Sequence, residues 1–403
     1  MRLLLSIVAM ALTLTAGAAR AALSPRDEAA IAALEGALAP STGPSPATLA
    51  QRMATLHVPG VSVAFIEDGK VKWVRAYGVA TADGPPATPA TLFQAASMSK
   101  ALAATAALRL VDQGKLALDE DVNRRLKAWK VPDSPLTAER KVTLRELLSH
   151  TAGLTVSGFP GYPAGKPVPT TPQILNGEPP ANTPPVVSWE PPGAYAYSGG
   201  GYTVAQLMIV EAGGAPYPDL LETLVLRPAG MRASTFAQPL SGARLAEAAS
   251  GHGPRGVAIA GGRNTYPEYA AAGLWTTPSD YGRFLIALQN AFAGRRGAIL
   301  SPESIRAMTT PVDASAGYGL GLALGRRGGH PYIQHGGSNA GFRCNAFAFL
   351  DGTRQGLVVM TNGDGGGVVA DDILRAVAAA YGWGEPDPAN ASSARRAPYV
   401  PAP

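Results

Sequence analysis

Ser97-Met98-Ser99-Lys100-Ala101-Leu102-Ala103-Ala104-Thr105-Ala106-Ala107-Leu108 decides the reading of this chain. A serine and a lysine three apart sit about one turn apart on a helix, within side-chain reach. A serine hydroxyl is a poor nucleophile until a neighbouring base takes its proton. A lysine serves as that base only where burial or nearby positive charge makes its ammonium form costly. The start of a helix supplies positive potential, and its unpaired N–H groups can hold a developing oxyanion. Of the eight lysines, only Lys100 has a serine three residues before it. Ala101, Leu102, Ala104, Ala107, Leu108 and Val111 follow at helical spacing, and Gly114 suits the helix end. By itself the stretch also fits a surface serine and lysine on an ordinary core helix.

The first residues read as an export leader. Arg2 precedes an apolar core from Leu3 to Leu14, and Ala19-Arg20-Ala21 is a small-x-small cleavage site. Cleavage before Ala22 is expected, which points to a periplasmic or secreted protein. The core is short for a bilayer span, and no second run is long enough to cross one. Stable membrane insertion after cleavage is therefore not expected. The formal charge is +5, and two of those positive residues, Arg2 and Arg20, belong to the leader. The remaining basic residues form no stripe, which argues against nucleic acid as a partner. Cys344 is the only cysteine, so no intramolecular disulfide can form, and it reads as a small buried residue. The five histidines show no HExxH or Cys/His pairing, so neither a metal nor any other cofactor is expected. His150 reads as a structural hydrogen-bonding group.

Residues 22–55 read as helical. Val61–Ile66 and Val71–Tyr77, joined by Asp68-Gly69-Lys70, read as a hairpin. Thr143 and Glu146 are spaced as a capping box for a helix that stops near Gly153. Residues 159–192 hold eleven prolines, a density that neither helix nor sheet tolerates, and read as a long irregular loop. Such loops tend to be lids or rims. Helical patterns return at Thr203–Glu211, Tyr217–Val225 and Ser279–Asn290. Short strands follow at Tyr332–Gln334, Cys344–Leu350 and Gly356–Thr361, with Asp351-Gly352 as a turn, and 368–381 is a last amphipathic helix. This order suggests an α/β (α+β) protein whose sheet is built from both chain ends, with a helical lobe inserted over roughly 105–300. One catalytic domain is expected over 22–385, followed by a disordered tail from 386 to 403.

Two further segments carry chemistry. Tyr195-Ala196-Tyr197-Ser198-Gly199-Gly200-Gly201-Tyr202 follows Pro191-Pro192-Gly193. His335-Gly336-Gly337-Ser338-Asn339-Ala340-Gly341-Phe342 comes near the end. Its first glycines permit close approach of a ligand to the backbone. Ser97-x-x-Lys100, Tyr197-Ser198-x and His335-x-Gly337, in this order, resemble the serine β-lactamase and penicillin-binding protein superfamily. The nearer likeness is to the class C-like branch, which includes related esterases, D-aminopeptidases and DD-carboxypeptidases. Supporting stretches are Leu147–Leu154, Ala272-Gly273-Leu274-Trp275 and Tyr318-Gly319-Leu320-Gly321.

The resemblance implies an antiparallel sheet flanked by helices and an exported serine hydrolase acting through an acyl-enzyme. Ser97 would be the nucleophile, with Lys100 and Tyr197 as a coupled base system. The backbone N–H groups of Ser97 and Ser338 would form the oxyanion hole. Substrate would meet His335, Gly336, Gly337 and Gly199. Which of Lys100 and Tyr197 is the base stays open.

The departures from the family pattern bear on substrate. The third motif usually carries a lysine that draws in a carboxylate, but no lysine follows Lys166 and His335 stands there instead. A histidine is mostly neutral at pH 7. The second motif usually reads Tyr-x-Asn, and Gly199 removes that amide. Both changes favour an esterase, or a peptidase that reads something other than a free carboxylate. Arg343 is the candidate for restoring a carboxylate partner. The alternatives are a β-lactamase, DD-carboxypeptidase or D-aminopeptidase on cell-wall-like peptides, and a penicillin-binding-like sensor without turnover. The His-Gly-Gly tripeptide is also similar to the oxyanion motif of α/β-hydrolase lipases. There the nucleophile elbow comes later, and after Ser338 only Ser392 and Ser393 remain. Substrate and oligomeric state stay open.

Overall fold

The computed structural model describes residues 23–38, 46–82 and 84–387. The expected leader and the tail beyond residue 387 lie outside the described residues. Eight strands are present among those described: β1 Gly60–Glu67, β2 Lys70–Gly78, β3 Phe93–Gln94, β4 Trp275–Thr276, β5 Ala323–Arg327, β6 His330–Asn339, β7 Phe342–Phe349 and β8 Gly356–Thr361. Six form one antiparallel sheet in the order β2-β1-β8-β7-β6-β5. β3 and β4 pair separately. The sheet therefore joins the two ends of the sequence, and most of the helices lie in the chain between β2 and β5.

β1 is buried along all but its last residue because both its neighbours and both its faces are covered. Its side chains alternate between two cores. Val61, Val63 and Phe65 join Leu34 of α1 (Pro25–Glu35) and Val369, Ile373 and Val377 of the helix Gly366–Tyr381. Ile66 joins the larger core on the other side, against the helix Pro278–Phe292. The β1–β2 turn is the expected one: Asp68 and Gly69 both take positive φ, as a two-residue hairpin turn requires. α2 (Leu49–Thr55) is tied to the C-terminal helix by a buried hydrogen bond from Arg52 Nε to Asp372, 2.9 Å long.

The helical lobe is organised around α3 (Ser99–Asp112), which is buried on nearly every side. Its alanines let neighbouring elements approach closely. α4 (Leu144–Ser149) carries the expected capping box between Thr143 and Glu146 and ends at His150, in the left-handed region. α6 (Gly199–Gly213) starts at a Ser198 cap immediately after Tyr197.

Three expectations need correcting. The proline-rich stretch is not irregular throughout: α5 (Thr171–Asn176) lies inside it, capped by Thr170 and Gln173, with Pro172 in the first turn. A proline is tolerated there because that N–H has no intrahelical partner. Ile174, Leu175 and Val186 are buried, so the segment packs onto the helical lobe. β5 was not expected from the sequence, and β6 runs on through His335-Gly336-Gly337-Ser338 to Asn339. Pro386 and Asp387, the first residues of the expected disordered tail, pair with Arg327 and Arg326 of β5.

Candidate functional site

Ser97 sits in a short 3-10 turn, Ala96–Met98, that leads directly into α3. Ala96 has φ of +50°, a conformation L-residues with a Cβ seldom adopt. This bent entry leaves the Ser97 side chain half-buried while its neighbours Met98 and Ser99 are fully enclosed. One turn on, the Lys100 ammonium is 3.2 Å from the Ser97 hydroxyl oxygen and 2.9 Å from the Ala271 carbonyl. Lys100 is only 2% exposed. Its Nζ also lies 4.9 Å from the centre of the Tyr197 ring and 5.4 Å from that of Tyr202. Aromatic faces attract a cation at such distances.

Tyr197 reaches this point because the chain entering α6 is strapped to α4. The Ser198 N–H donates to His150 Nδ1 at 3.0 Å, and the Ala196 N–H donates to the His150 carbonyl. The His150 ring packs 4.1 Å from the Tyr197 ring, centre to centre. Since a backbone N–H can only donate, Nδ1 of His150 is unprotonated and its other nitrogen carries the hydrogen. Burial, then the positive charge of Lys100, holds the His150 pKa well below the usual imidazole range. The imidazole is a neutral prop for the tyrosine, in keeping with the structural reading of the sequence.

The third segment meets the first edge-on. A Cβ at Gly337 would lie 2.2 Å from the Ala95 carbonyl oxygen, so only glycine lets β6 lie against the turn that carries Ser97. Ser338, the next residue, is exposed, as is Gly336, while Gly337 is half-buried. His335 lies 6.5 Å from Tyr197, ring centre to ring centre. Its Nδ1 is 2.6 Å from the Gly336 carbonyl, which can only accept, so Nδ1 carries the proton. Its Nε2 therefore accepts from the Tyr318 hydroxyl at 3.0 Å. Burial first, then the Lys100 charge, pushes the His335 pKa down to about 3, against the opposing hydrogen bond to Gly336. The group in the third-motif position is thus uncharged at neutral pH.

The structure brings Ser97, Lys100, Tyr197 and His335 together. It does not leave Arg343 available as a carboxylate partner. That guanidinium is 2.8 Å from Asp364 and donates to the carbonyls of Asn339 and Phe342, so its charge is already matched. Cys344 is buried, with its thiol pushed up to about 12 by burial. Sequence reasoning gave no role to Tyr318, although it quoted the stretch that contains it. It missed the Ala271 carbonyl entirely, since a backbone acceptor leaves no mark in residue type. Among the described residues no cluster of three or more His, Cys, Asp or Glu side chains could hold a metal, and no helix is long and apolar enough to cross a membrane.

The short helix Tyr269–Ala272 that presents the Ala271 carbonyl begins at Glu268. Glu268 is fully buried and neither carboxyl oxygen has a hydrogen-bond partner. Burial holds its pKa up at about 8. The native state keeps a proton that the unfolded chain releases near 4.5. Its contribution to stability is therefore complete below that pH and is lost as pH rises through about 8. Glu268→Gln should remove this loss. Its stability relative to wild type should improve by about 2 kcal/mol between pH 6 and pH 8, at about 1.4 kcal/mol per pH unit. Chemical denaturation at the two pH values measures this, and a difference independent of pH would contradict it.

Protein flp of Staphylococcus aureus (strain N315) is 31% identical over 99 residues, which cover 24% of this chain and 20% of that protein. Esterase EstB of Burkholderia gladioli is 42% identical over 87 residues, covering 21% of this chain and 22% of that protein. The chain thus spans about a fifth of the length of each of these curated relatives. The crystal structure of D-amino acid amidase from Ochrobactrum anthropi SV3, complexed with L-phenylalanine, superposes with a TM-score of 0.64 at 26% identity. That superposition covers 83% of this chain and 99% of the amidase. Residues 46–381 match the family model described as Beta-lactamase, and on that match, which takes in every strand of the sheet and the whole site, the chain belongs to the Beta-lactamase family.

Proposed function

We propose that the protein is an exported hydrolase that cleaves uncharged esters or amides through a covalent Ser97 acyl-enzyme. The observation that carries this reading is the 3.2 Å approach of the Lys100 amine to the Ser97 hydroxyl, with the Tyr197 ring against the same amine. In the acylation step Ser97 Oγ attacks the substrate carbonyl carbon, and its proton passes to the Lys100–Tyr197 pair. The carbonyl oxygen takes up negative charge toward the backbone N–H groups of Ser97 and Ser338. Collapse breaks the bond to the leaving group, which departs with the proton as an alcohol or amine. Water then attacks the Ser97 ester, gives its proton to the same pair, and releases the acid, with the proton returned to Ser97. The reaction balances without a cofactor.

Substrate class follows from charge. His335 is neutral, Arg343 is matched by Asp364, and no lysine follows Lys166, so nothing in the third motif attracts a carboxylate. This favours the esterase and amidase chemistry of the named relatives over a carboxypeptidase or β-lactamase that grips an acidic substrate. His335→Lys should strengthen binding of carboxylate-bearing ligands relative to their methyl esters by about tenfold, from one added cation close to the ligand. Calorimetry on paired acid and ester ligands tests it, and equal affinities in wild type and variant would sink it.

The defining experiment is a panel of p-nitrophenyl esters, D-alanyl amides, a muropeptide and nitrocefin, run against wild type and Ser97→Ala. Ser97-dependent turnover of esters or amides is expected. Stoichiometric labelling by a fluorophosphonate with no turnover of any substrate would instead favour a ligand sensor.

A further inference from the structure

Position 199 carries no side chain, and the space beside it is filled by an aromatic ring from the proline-rich segment. A Cβ at Gly199 would lie 2.7 Å from Cε2 of Phe159, and 3.4 Å from both its Cζ and the Ser157 carbonyl oxygen. Phe159 is half-buried and packs against the main core. Residues 155–159 run along the first turn of α6. The Gly200 N–H donates to the Val156 carbonyl at 2.9 Å, and the Ser198 hydroxyl donates to the Thr155 carbonyl at 2.8 Å. This anchors the Phe159 ring against Gly199, which is two residues from Tyr197 in sequence.

The other side of Phe159 is anchored to the far wall of the site. The Pro160 carbonyl accepts from the Tyr266 hydroxyl at 3.3 Å and from Asn264 Nδ2 at 3.1 Å. The same Tyr266 oxygen accepts from the Ala340 N–H at 2.9 Å, two residues past Ser338. Tyr162 and Thr265 then exchange two backbone hydrogen bonds of 2.8 Å. Phe159 is therefore held between the chain that bears Tyr197 and the end of the strand that bears His335 and Ser338.

We propose that Phe159, seated on Gly199, is a specificity-determining wall of the substrate pocket, which takes esters or amides whose acyl part is apolar and uncharged, aryl or medium-chain rather than acetyl. This rests on the hydrolase reading above and adds the acyl group to it. A ring edge offers an acyl chain contact area and no hydrogen bond, and a hydrophobic wall discriminates by size and apolarity.

The test compares kcat/KM for p-nitrophenyl acetate, hexanoate and benzoate in wild type, Phe159→Ala, Gly199→Ala and Ser97→Ala, with a thermal melt of each. Wild type should prefer hexanoate and benzoate to acetate. Phe159→Ala should reduce both preference ratios about tenfold, the discrimination a few methylenes of pocket wall provide. Gly199→Ala inserts a methyl where the ring now sits, displaces only the end of that side chain, and should shift the same ratios at least threefold. It carries the test if Phe159→Ala does not melt cooperatively. Ser97-dependent turnover with ratios unchanged in the folded variants would overturn the Phe159 assignment alone. Absence of Ser97-dependent turnover on every ester and amide would instead remove the hydrolase reading, and this assignment with it.

Discussion

Ser97→Ala should lower ester or amide turnover by at least about 10⁴-fold while leaving the melting temperature close to wild type. The activity loss follows from chemistry: without the hydroxyl no acyl-enzyme can form, and only the backbone N–H groups and binding remain to assist attack by water. The small effect on stability follows from position. Ser97 is half-buried in a turn, and its hydroxyl oxygen accepts one hydrogen bond from an amine that also donates to Ala271. Removing it leaves that amine a remaining acceptor, so no buried donor is stranded. The variant should also lose all covalent labelling by a fluorophosphonate, read by intact-protein mass spectrometry. Retained labelling would place the nucleophile elsewhere, and retained turnover would show that the chemistry does not pass through this residue.

The parts of this protein that were legible in the sequence are those fixed by local physics. Asp68-Gly69 between two apolar runs specifies a hairpin because its backbone conformation matches strand twist. Thr143 and Glu146 mark a helix start because each satisfies the other's N–H. Ser97 and Lys100 meet because they are one turn apart. The parts that were not legible depend on partners far along the chain. β5 is too short and too polar to announce itself, and exists because β6 pairs with it. α5 was hidden by prolines that break helices anywhere except at the first turn, where Pro172 stands. Arg343 looks free in the sequence and is held by Asp364, 21 positions away, across the turn at the sheet end. The Tyr318–His335 hydrogen bond joins two quoted motifs whose relation no spacing reveals. Phe159 is the extreme case: forty positions separate it from Gly199, and only the absence of a side chain at 199 hinted that something else fills that space.

Lys100→Ala carries the second large effect, a fall in kcat/KM of about 10²- to 10⁴-fold, the range general-base assistance supplies. Its structural cost should be larger than that of Ser97→Ala. Lys100 is buried, so its removal leaves the Ala271 carbonyl without this donor and opens a void between Tyr197 and Tyr202. An unsatisfied buried acceptor costs about 1–3 kcal/mol, and the void adds to that. Lys100→Met fills most of the volume without the amine and separates the two contributions. If the amine acts in catalysis, both variants should lose the same rate although Lys100→Met is the more stable. Fluorophosphonate labelling should slow in both and not vanish, since the nucleophile is still present. Tyr197→Phe tests whether the two residues act as one proton relay: combined with Lys100→Met it should cost little more than the single change, because groups that act as a unit are not additive. Fully multiplicative losses would mean that the amine and the phenol serve separate steps. A Lys100→Met enzyme with near wild-type rates would leave Ser97 without its base and remove the mechanism proposed for this site.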